Sequence, residues 1–404
     1  MNLQNWLRWW MRIILPLLGW RVPVALLRGP ARGSGREVVL LHAGPASVFI
    51  KERFFAQEPV VERCVRVPVW RLQRLLDEWR STADLVAVGI DRVSARLFLR
   101  PHDFEVPMWL SSLSQVPEDL QVFTRNHKSA QADIRRVRIK NFECHLSRAA
   151  EDLDCFYDRF YVPFIPARHG EKVALVPRWR MRLMFRMGML YWITQAGERL
   201  SGCLVIVKGG QFRLVVNGML DGRLELLQHG ALSAIYVHSI LEARKLGCKE
   251  IDMGGSKPWL QDGVFRYKNK WASELRLLDG AVSSNRSVLL SWNRMAGPVA
   301  EFFTHTSLIH HDGDGFSALT AFPQEHPLTA ETLQQHHNQI KAKGLRCLTI
   351  LLPGEVPADF VCPSGVRLIS GGTVSDSGPE RLKLCGHPDT PAGPMQDPTQ
   401  PRQS

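Results

Sequence analysis

The 404-residue sequence contains no Cys-x-x-Cys pair, and its eight cysteines (Cys64, Cys144, Cys155, Cys203, Cys248, Cys347, Cys362 and Cys385) follow no repeated spacing. That argues against a zinc module and a disulfide framework and favours reduced, mostly buried thiols in a reducing compartment. No Walker loop, Gly-x-Gly-x-x-Gly fingerprint or Gly-x-Ser-x-Gly nucleophile elbow occurs, which removes the sequence support for those nucleotide-binding and hydrolase classes. The run His310-His311-Asp312-Gly313-Asp314-Gly315 fits neither an EF-hand loop nor His-Glu-x-x-His, so it reads as a polar loop ahead of a strand at Phe316, and no metal is expected. Acid is the scarcer charge. Against 39 Asp and Glu stand 51 Lys and Arg, a formal net charge of +12. Such a balance steers anions towards the protein, whether nucleotide cofactors, tRNA, anionic lipid or phosphorylated sugars. With 45% hydrophobic and 22% charged residues the composition is that of a globular chain, long enough for two or three domains.

The apolar stretch Trp6–Leu27 is interrupted by Arg8, Arg12 and Arg21 and broken by Pro16, Gly19 and Pro23. It is a poor spanning helix, and no small-residue cleavage site follows it. Two readings of residues 1–30 fit equally: a segment lying in a membrane interface, or one packed on the protein's own core. Residues 30–36 read as a linker. From Glu37 to Leu99 the apolar runs Val38–Leu41 and Leu85–Ile90 flank a helix over Val69–Arg80, which suggests an α/β unit. Asp119–Asn141 reads as helical in its later part, with a basic cluster of Lys128, Arg135, Arg136, Arg138 and Lys140. A second helix is expected over Ala149–Tyr161, with Ser147 as its N-cap. Met189–Leu220 reads as an antiparallel run, Leu226–Leu246 as the longest helix, ended by Gly247, and Glu250–Met253 as a strand closed by Gly254-Gly255. Beyond Gly280, Phe316–Phe322, Thr329–Lys343 and Arg346–Leu352 form a further strand–helix–strand set, and residues from 371 to 404 read as a disordered tail.

Four stretches carry a resemblance: Ala132-Asp133-Ile134-Arg135-Arg136-Val137-Arg138; Phe156-Tyr157 with Pro166-Ala167-Arg168-His169-Gly170; Gly247 to Gly255 with its Asp252-Met253-Gly254; and Gly263-Val264-Phe265-Arg266-Tyr267-Lys268-Asn269-Lys270-Trp271. In this order they resemble the FemAB-like branch of the GNAT acyltransferases. The likeness covers roughly the middle half of the chain. It implies an α/β fold, an α+β mixed sheet in two tandem GNAT-like halves (37–140 and 141–285), with 286–370 an appended α/β segment. It also implies a cytoplasmic acyltransferase forming an amide, or less readily an ester, by direct transfer to an anionic or lipid-linked cell-envelope or polysaccharide acceptor. The expected donor is acyl-CoA, acetyl-CoA above all, with aminoacyl-tRNA or an acyl carrier protein as alternatives. DNA is not an expected partner, and residues 6–27 would supply any peripheral membrane contact. A rival reading is a non-catalytic GNAT-like protein binding a membrane or envelope-assembly partner, since fold does not prove activity. A third is RNA binding through the basic helix.

By the resemblance, Lys268 lies near the reacting centre, where an ammonium group would stabilise the oxyanion of acyl transfer. Otherwise Lys268 is a solvated lysine alternating with Arg266 and Lys270 as on an exposed strand. Asp252, at a strand end before two glycines, reads either as a general base orienting the acceptor amine or as a cap on the following turn. Arg168, His169, Arg135 and Tyr267 are the candidate substrate-binding residues, the arginines for their fit to phosphate or carboxylate. The donor loop falls at Asp221-Gly222-Arg223-Leu224-Glu225, with Gly218, Gly222 and Arg223 as the cofactor-binding candidates. It departs from a clean Gly-x-Gly loop, so the identity of the donor stays open.

Overall fold

The computed structural model of the protein describes residues 21–100, 104–170, 175–278, 286–295, 297–313, 315–323, 325–354, 360–370 and 384–385. Residues 1–20 lie outside it, so the expected membrane-interfacial segment is covered only from Arg21 onwards. There it is a strand, β1 (Arg21–Pro30), whose alternating Val22, Val24 and Leu26 are buried. The Gly-rich stretch expected to be a linker is instead the hairpin turn from β1 into β2 (Glu37–Ala43), closed by the Ala31 N–H on Arg36 O at 2.8 Å. Then follow α1 (Val48–Phe54), the largely exposed β3 (Val60–Pro68) and α2 (Leu72–Arg80), which buries Leu72, Leu76 and Trp79 on one face as its spacing requires. β4 (Leu85–Asp91) is apolar on both faces because it is a central strand, parallel to β2. α3 (Arg92–Phe98), capped by Asp91, leads to β5 (Phe104–Pro107).

At Met108 and Trp109 the chain crosses to a second sheet, starting with β6 (Leu110–Gln115). The predicted helical region divides into α4 (Leu120–Asn126) and α5 (Gln131–Lys140), then β7 (Glu143–Ser147). α6 (Ala150–Cys155) takes Ala149 at its N-cap in place of Ser147, whose Oγ accepts the Ala149 N–H one step earlier. A π-helical turn at Phe156–Tyr161 follows, and α7 (Val162–His169) runs through Pro166, Ala167 and Arg168. α8 (Arg178–Arg186) precedes the antiparallel β8 (Met189–Gln195), β9 (Glu198–Lys208) and β10 (Gln211–Met219). The long helix expected next is broken at Gly230 (φ 108°) into α9 (Glu225–His229) and α10 (Ala231–Lys245). Gly230 lies in the left-handed region that only glycine enters freely, and the Arg136 side chain on α5 packs against it. β11 (Glu250–Ser256), α11 (Gly263–Asn269) and β12 (Glu274–Leu277) complete this sheet.

The segment expected to be an appended unit joins the first sheet. β13 (Arg286–Trp292) lies between β4 and β5. After α12 (Pro298–His305), β14 (Leu308–Asp312) extends the sheet from β5, so His310 to Asp312 form a strand end and not a loop. β15 (Gly315–Ala321), α13 (Ala330–Ile340) and β16 (Leu348–Leu352) make the predicted strand–helix–strand set, with β15 and β16 parallel. β17 (Val366–Ser370) follows; most of the expected disordered tail lies outside the described residues, within which β18 (Leu384–Cys385) pairs with β17. The result is an α/β protein of two mixed sheets, ordered β18-β17-β16-β15-β14-β5-β13-β4-β2-β1-β3 and β12-β6-β11-β10-β9-β8-β7. α10 is buried on almost every side in the core of the second sheet. Among the described residues, no helix is long and apolar enough to cross a membrane.

Candidate active site

The second sheet opens at one place. β10 and β11 pair in parallel over Gln211–Glu250, Phe212–Ile251 and Arg213–Asp252 and pair no further. Each strand carries an irregularity at that point. On β10 the register against β9 shifts between Leu214 and Val216, leaving Val215 as the extra residue of a bulge. On β11 the register against β6 shifts between Asp252 and Gly255, and Gly254 adopts φ 78°. A Cβ on Gly254 would meet Leu214 O at 2.5 Å, so both the backbone conformation and the space demand glycine. The two glycines expected to close the strand thus bend it within the sheet.

Lys268 points at this bend from α11. Its Nζ donates to Gly255 O at 2.7 Å and would lie 3.3 Å from a Cβ on Gly254. The predicted alternative, a solvated lysine on an exposed strand, is therefore corrected: the residue is helical and half-buried, because Asp262 caps α11 through the Phe265 N–H at 2.7 Å and Phe265 anchors it in the core. Burial lowers the Lys268 ammonium from 10.5 to about 8, opposed first by the Asp252 carboxylate. Asp252 itself is fully buried. It accepts from Ser111 Oγ at 2.5 Å and the Gly254 N–H at 2.8 Å, and it pairs with Arg213 Nε at 2.6 Å. That is the turn-capping arrangement, extended by an ion pair.

A second group of polar side chains adjoins Lys268. Tyr267 OH lies 3.0 Å from Ser233 Oγ on α10, and the rings of Tyr267 and Tyr236 meet edge to face at 5.2 Å. Burial holds both phenols protonated well above their ordinary range. Asn217 on β10 lies close enough to Tyr236 to act on its phenol, and Asn217 Oδ1 is a buried acceptor with no hydrogen-bond partner among the described residues. Arg168 on α7 is close enough for its charge to act on Lys268, Tyr236 and Tyr267. Four predicted residues therefore converge here: Lys268, Asp252, Tyr267 and Arg168.

The others are placed elsewhere or serve the packing. Arg135 is exposed on α5, on the solvent side of a helix whose Asp133 turns inward to Lys270 and Arg136. Gly218 and Gly222 lie against the π-helical turn and α7, where a Cβ would meet Phe160 C at 2.8 Å and Pro163 O at 2.8 Å. Arg223 pairs with Glu225, and Asp221 with Arg159. The His169 side chain lies outside the described residues. Tyr236, Ser233, Asn217, Arg213 and Ser111 were not singled out from the sequence. Ser233, Tyr236 and Ser239 recur every third residue, but the same helix also carries His238, Glu242, Arg244 and Lys245, so that spacing does not mark them out.

The arrangement combines proton donors (Lys268, Tyr236, Tyr267), a free acceptor (Asn217 Oδ1) and a carboxylate sealed behind them. Such donors suit a reaction that develops negative charge on an oxygen. Among solved structures, the chain is similar to FemX, at 10% identity with a TM-score of 0.38 over 68% of this chain and 89% of that one. It is also similar to L-PGS from Bacillus licheniformis (11%, TM-score 0.34, 66% and 83%) and to a GCN5-related N-acetyltransferase from Kribbella flavida (10%, TM-score 0.28, 80% and 71%). No protein-family model and no curated protein sequence matches the chain.

Proposed function

We propose that the protein is a GNAT-like, FemAB-type acyltransferase that joins an acyl or aminoacyl group to an amine by direct transfer. The observation that carries this reading is Lys268, an ammonium group held on the Gly255 carbonyl where two parallel strands separate. The amine nitrogen attacks the donor's carbonyl carbon, the C–O or C–S bond to the carrier breaks, and the proton that the nitrogen loses passes to the departing alkoxide or thiolate, giving the amide and the free carrier alcohol or thiol. Lys268, with a phenol of Tyr267 or Tyr236, stabilises the intermediate oxyanion. Asn217 Oδ1 accepts an N–H of the incoming amine, and Arg168 holds an anionic part of the acceptor. Asp252 is a positioning residue in this scheme. It fixes the bend that carries Gly255 and favours the charged form of Lys268.

The donor is acyl-CoA in the first reading, acetyl-CoA above all, held by Arg223 and the turn around Gly222 beside Gly218. A donor carried on tRNA or an acyl carrier protein is the second reading, and one observation favours it: Gly218 and Gly222 are needed for packing and Arg223 is paired with Glu225. The acceptor is anionic or lipid-linked, of cell-envelope or polysaccharide origin, met at the cytoplasmic face of a membrane. A transfer assay following amide formation from each donor class tests this. Lys268→Met is expected to lower transfer by about two orders of magnitude while donor binding is kept. Transfer undiminished in folded Lys268→Met protein would overturn the assignment and favour a non-catalytic binding role.

A further inference from the structure

The helix α8 presents an apolar stripe to solvent that nothing among the described residues covers. Trp179, Leu183 and Met187 fall at i, i+4 and i+8 and are 69%, 50% and 61% exposed, while Met181 on the opposite side is buried. A Trp this exposed on a stripe of apolar neighbours is unusual for a surface with no partner. The stripe is flanked by cations. From Arg178 to Met187 the sequence holds four arginines and no acid. Arg178 and Arg182 are tied down by Asp154 and Asp158, which fixes the helix on α6 and the π-helical turn. Arg180 and Arg186 are exposed and make no ion pair among the described residues. Arg178 also lies over the Tyr157 ring at 4.3 Å, so the helix is rigidly mounted while its outer face stays open.

We infer that α8 is an in-plane docking helix for an anionic lipid surface, with Trp179, Leu183 and Met187 entering the headgroup–acyl boundary and Arg180 and Arg186 meeting lipid phosphates. Charge complementarity selects this occupant. The stripe is bordered by unpaired arginines on a chain of net charge +12, a composition that repels a second copy and attracts an anionic bilayer. An amphipathic ring such as tryptophan's belongs at the membrane–water interface, its face in the apolar layer and its N–H in the wet one. The inference stands apart from acyl transfer, since it rests on no residue of the Lys268 centre. It would, however, bring that centre to lipid-linked acceptors.

Co-sedimentation of the full chain with vesicles tests it, using phosphatidylcholine alone and phosphatidylcholine with about a third phosphatidylglycerol. The expected result is binding to the anionic vesicles only, weakened by added salt. The double variant Trp179→Ser with Leu183→Ser is expected to bind about tenfold or more weakly. Because both side chains are exposed, the variant should keep the wild-type circular dichroism and melting temperature, which are recorded alongside. Residues 6–20 are also rich in Trp and Arg, so Trp6→Ser, Trp9→Ser and Trp10→Ser together form the matched control. Loss of binding in that control but not in the α8 variant would overturn the inference, as would absence of binding to anionic vesicles. Binding of tRNA that competes with vesicles and is lost in the α8 variant would instead assign the face to nucleic acid, and would equally overturn it.

Discussion

At the scale of single residues, the molecule keeps an ammonium group where it is costly. Lys268 titrates near 8 in the folded chain against 10.5 in the open one, so between those values the unfolded state binds more protons. Stability therefore rises with pH across that window. Below about 8 the full penalty is present, on the order of 3 kcal/mol from the size of the shift. Lys268→Met is accordingly expected to be more stable than wild type in urea unfolding at neutral pH, with the gain shrinking as pH approaches 10.5. Transfer, which needs the ammonium form, should fall as pH rises through about 8. A Met variant less stable than wild type at neutral pH would show that the Gly255 hydrogen bond outweighs desolvation. Lys268, Asp252, Tyr267 and Arg168 were legible because each sits in a short local motif. Tyr236 and Asn217 were not, since their roles depend on a helix and a strand meeting across the sheet, which no local spacing encodes.

At the scale of elements, the separation of β10 and β11 depends on glycine. Two bulges face each other, and the backbone of the π-helical turn presses on β10 at Gly218. Gly218→Ala should therefore cost about 1–3 kcal/mol, because the nearest atoms are backbone and cannot yield as a flexible side chain would. Chemical denaturation measures this directly, and a neutral result would mean that the turn slides aside. Periodicity recovered the elements with a strong apolar pattern: α2, β2, β4, the β8–β10 run and the β15–α13–β16 set. It failed at the interruption of α9 and α10. There Gly230 takes a left-handed conformation (φ 108°) that ends α9 inside a continuous apolar stripe, and the stripe itself carries no sign of that turn. The π-helical turn escaped for a similar reason, being an extra residue's worth of backbone within a sequence that reads as plain helix.

At the scale of the whole molecule, the two sheets are joined around α11. Asn269 holds Lys343 through both its amide atoms, Nδ2 to Lys343 O at 2.8 Å and the Lys343 N–H to Oδ1 at 3.0 Å. Trp259 bridges to Leu308, and its ring lies tilted against that of Phe49 with centroids 5.5 Å apart. These ties bind the loop before β16, together with α1 and β14 of the first sheet, to α11 and the loop that leads into it. Thermal unfolding should therefore be a single transition, coincident by far- and near-ultraviolet circular dichroism; two transitions would show independent units. Sequence reasoning placed the residues after 285 apart because it read them as a self-contained strand–helix–strand set. The insertion of β13 between β4 and β5 is a pairing across nearly two hundred positions, beyond the reach of local pattern.

The measurement that tests the central claim most directly is calorimetric titration of the full chain with acetyl-CoA, CoA, charged tRNA and an acyl carrier protein. The Lys268 centre as an acyl-transfer site requires saturable binding of one acyl donor, at about micromolar strength, retained in Lys268→Met. If none of the four binds, the centre has no donor to work on, and the acyltransferase account fails.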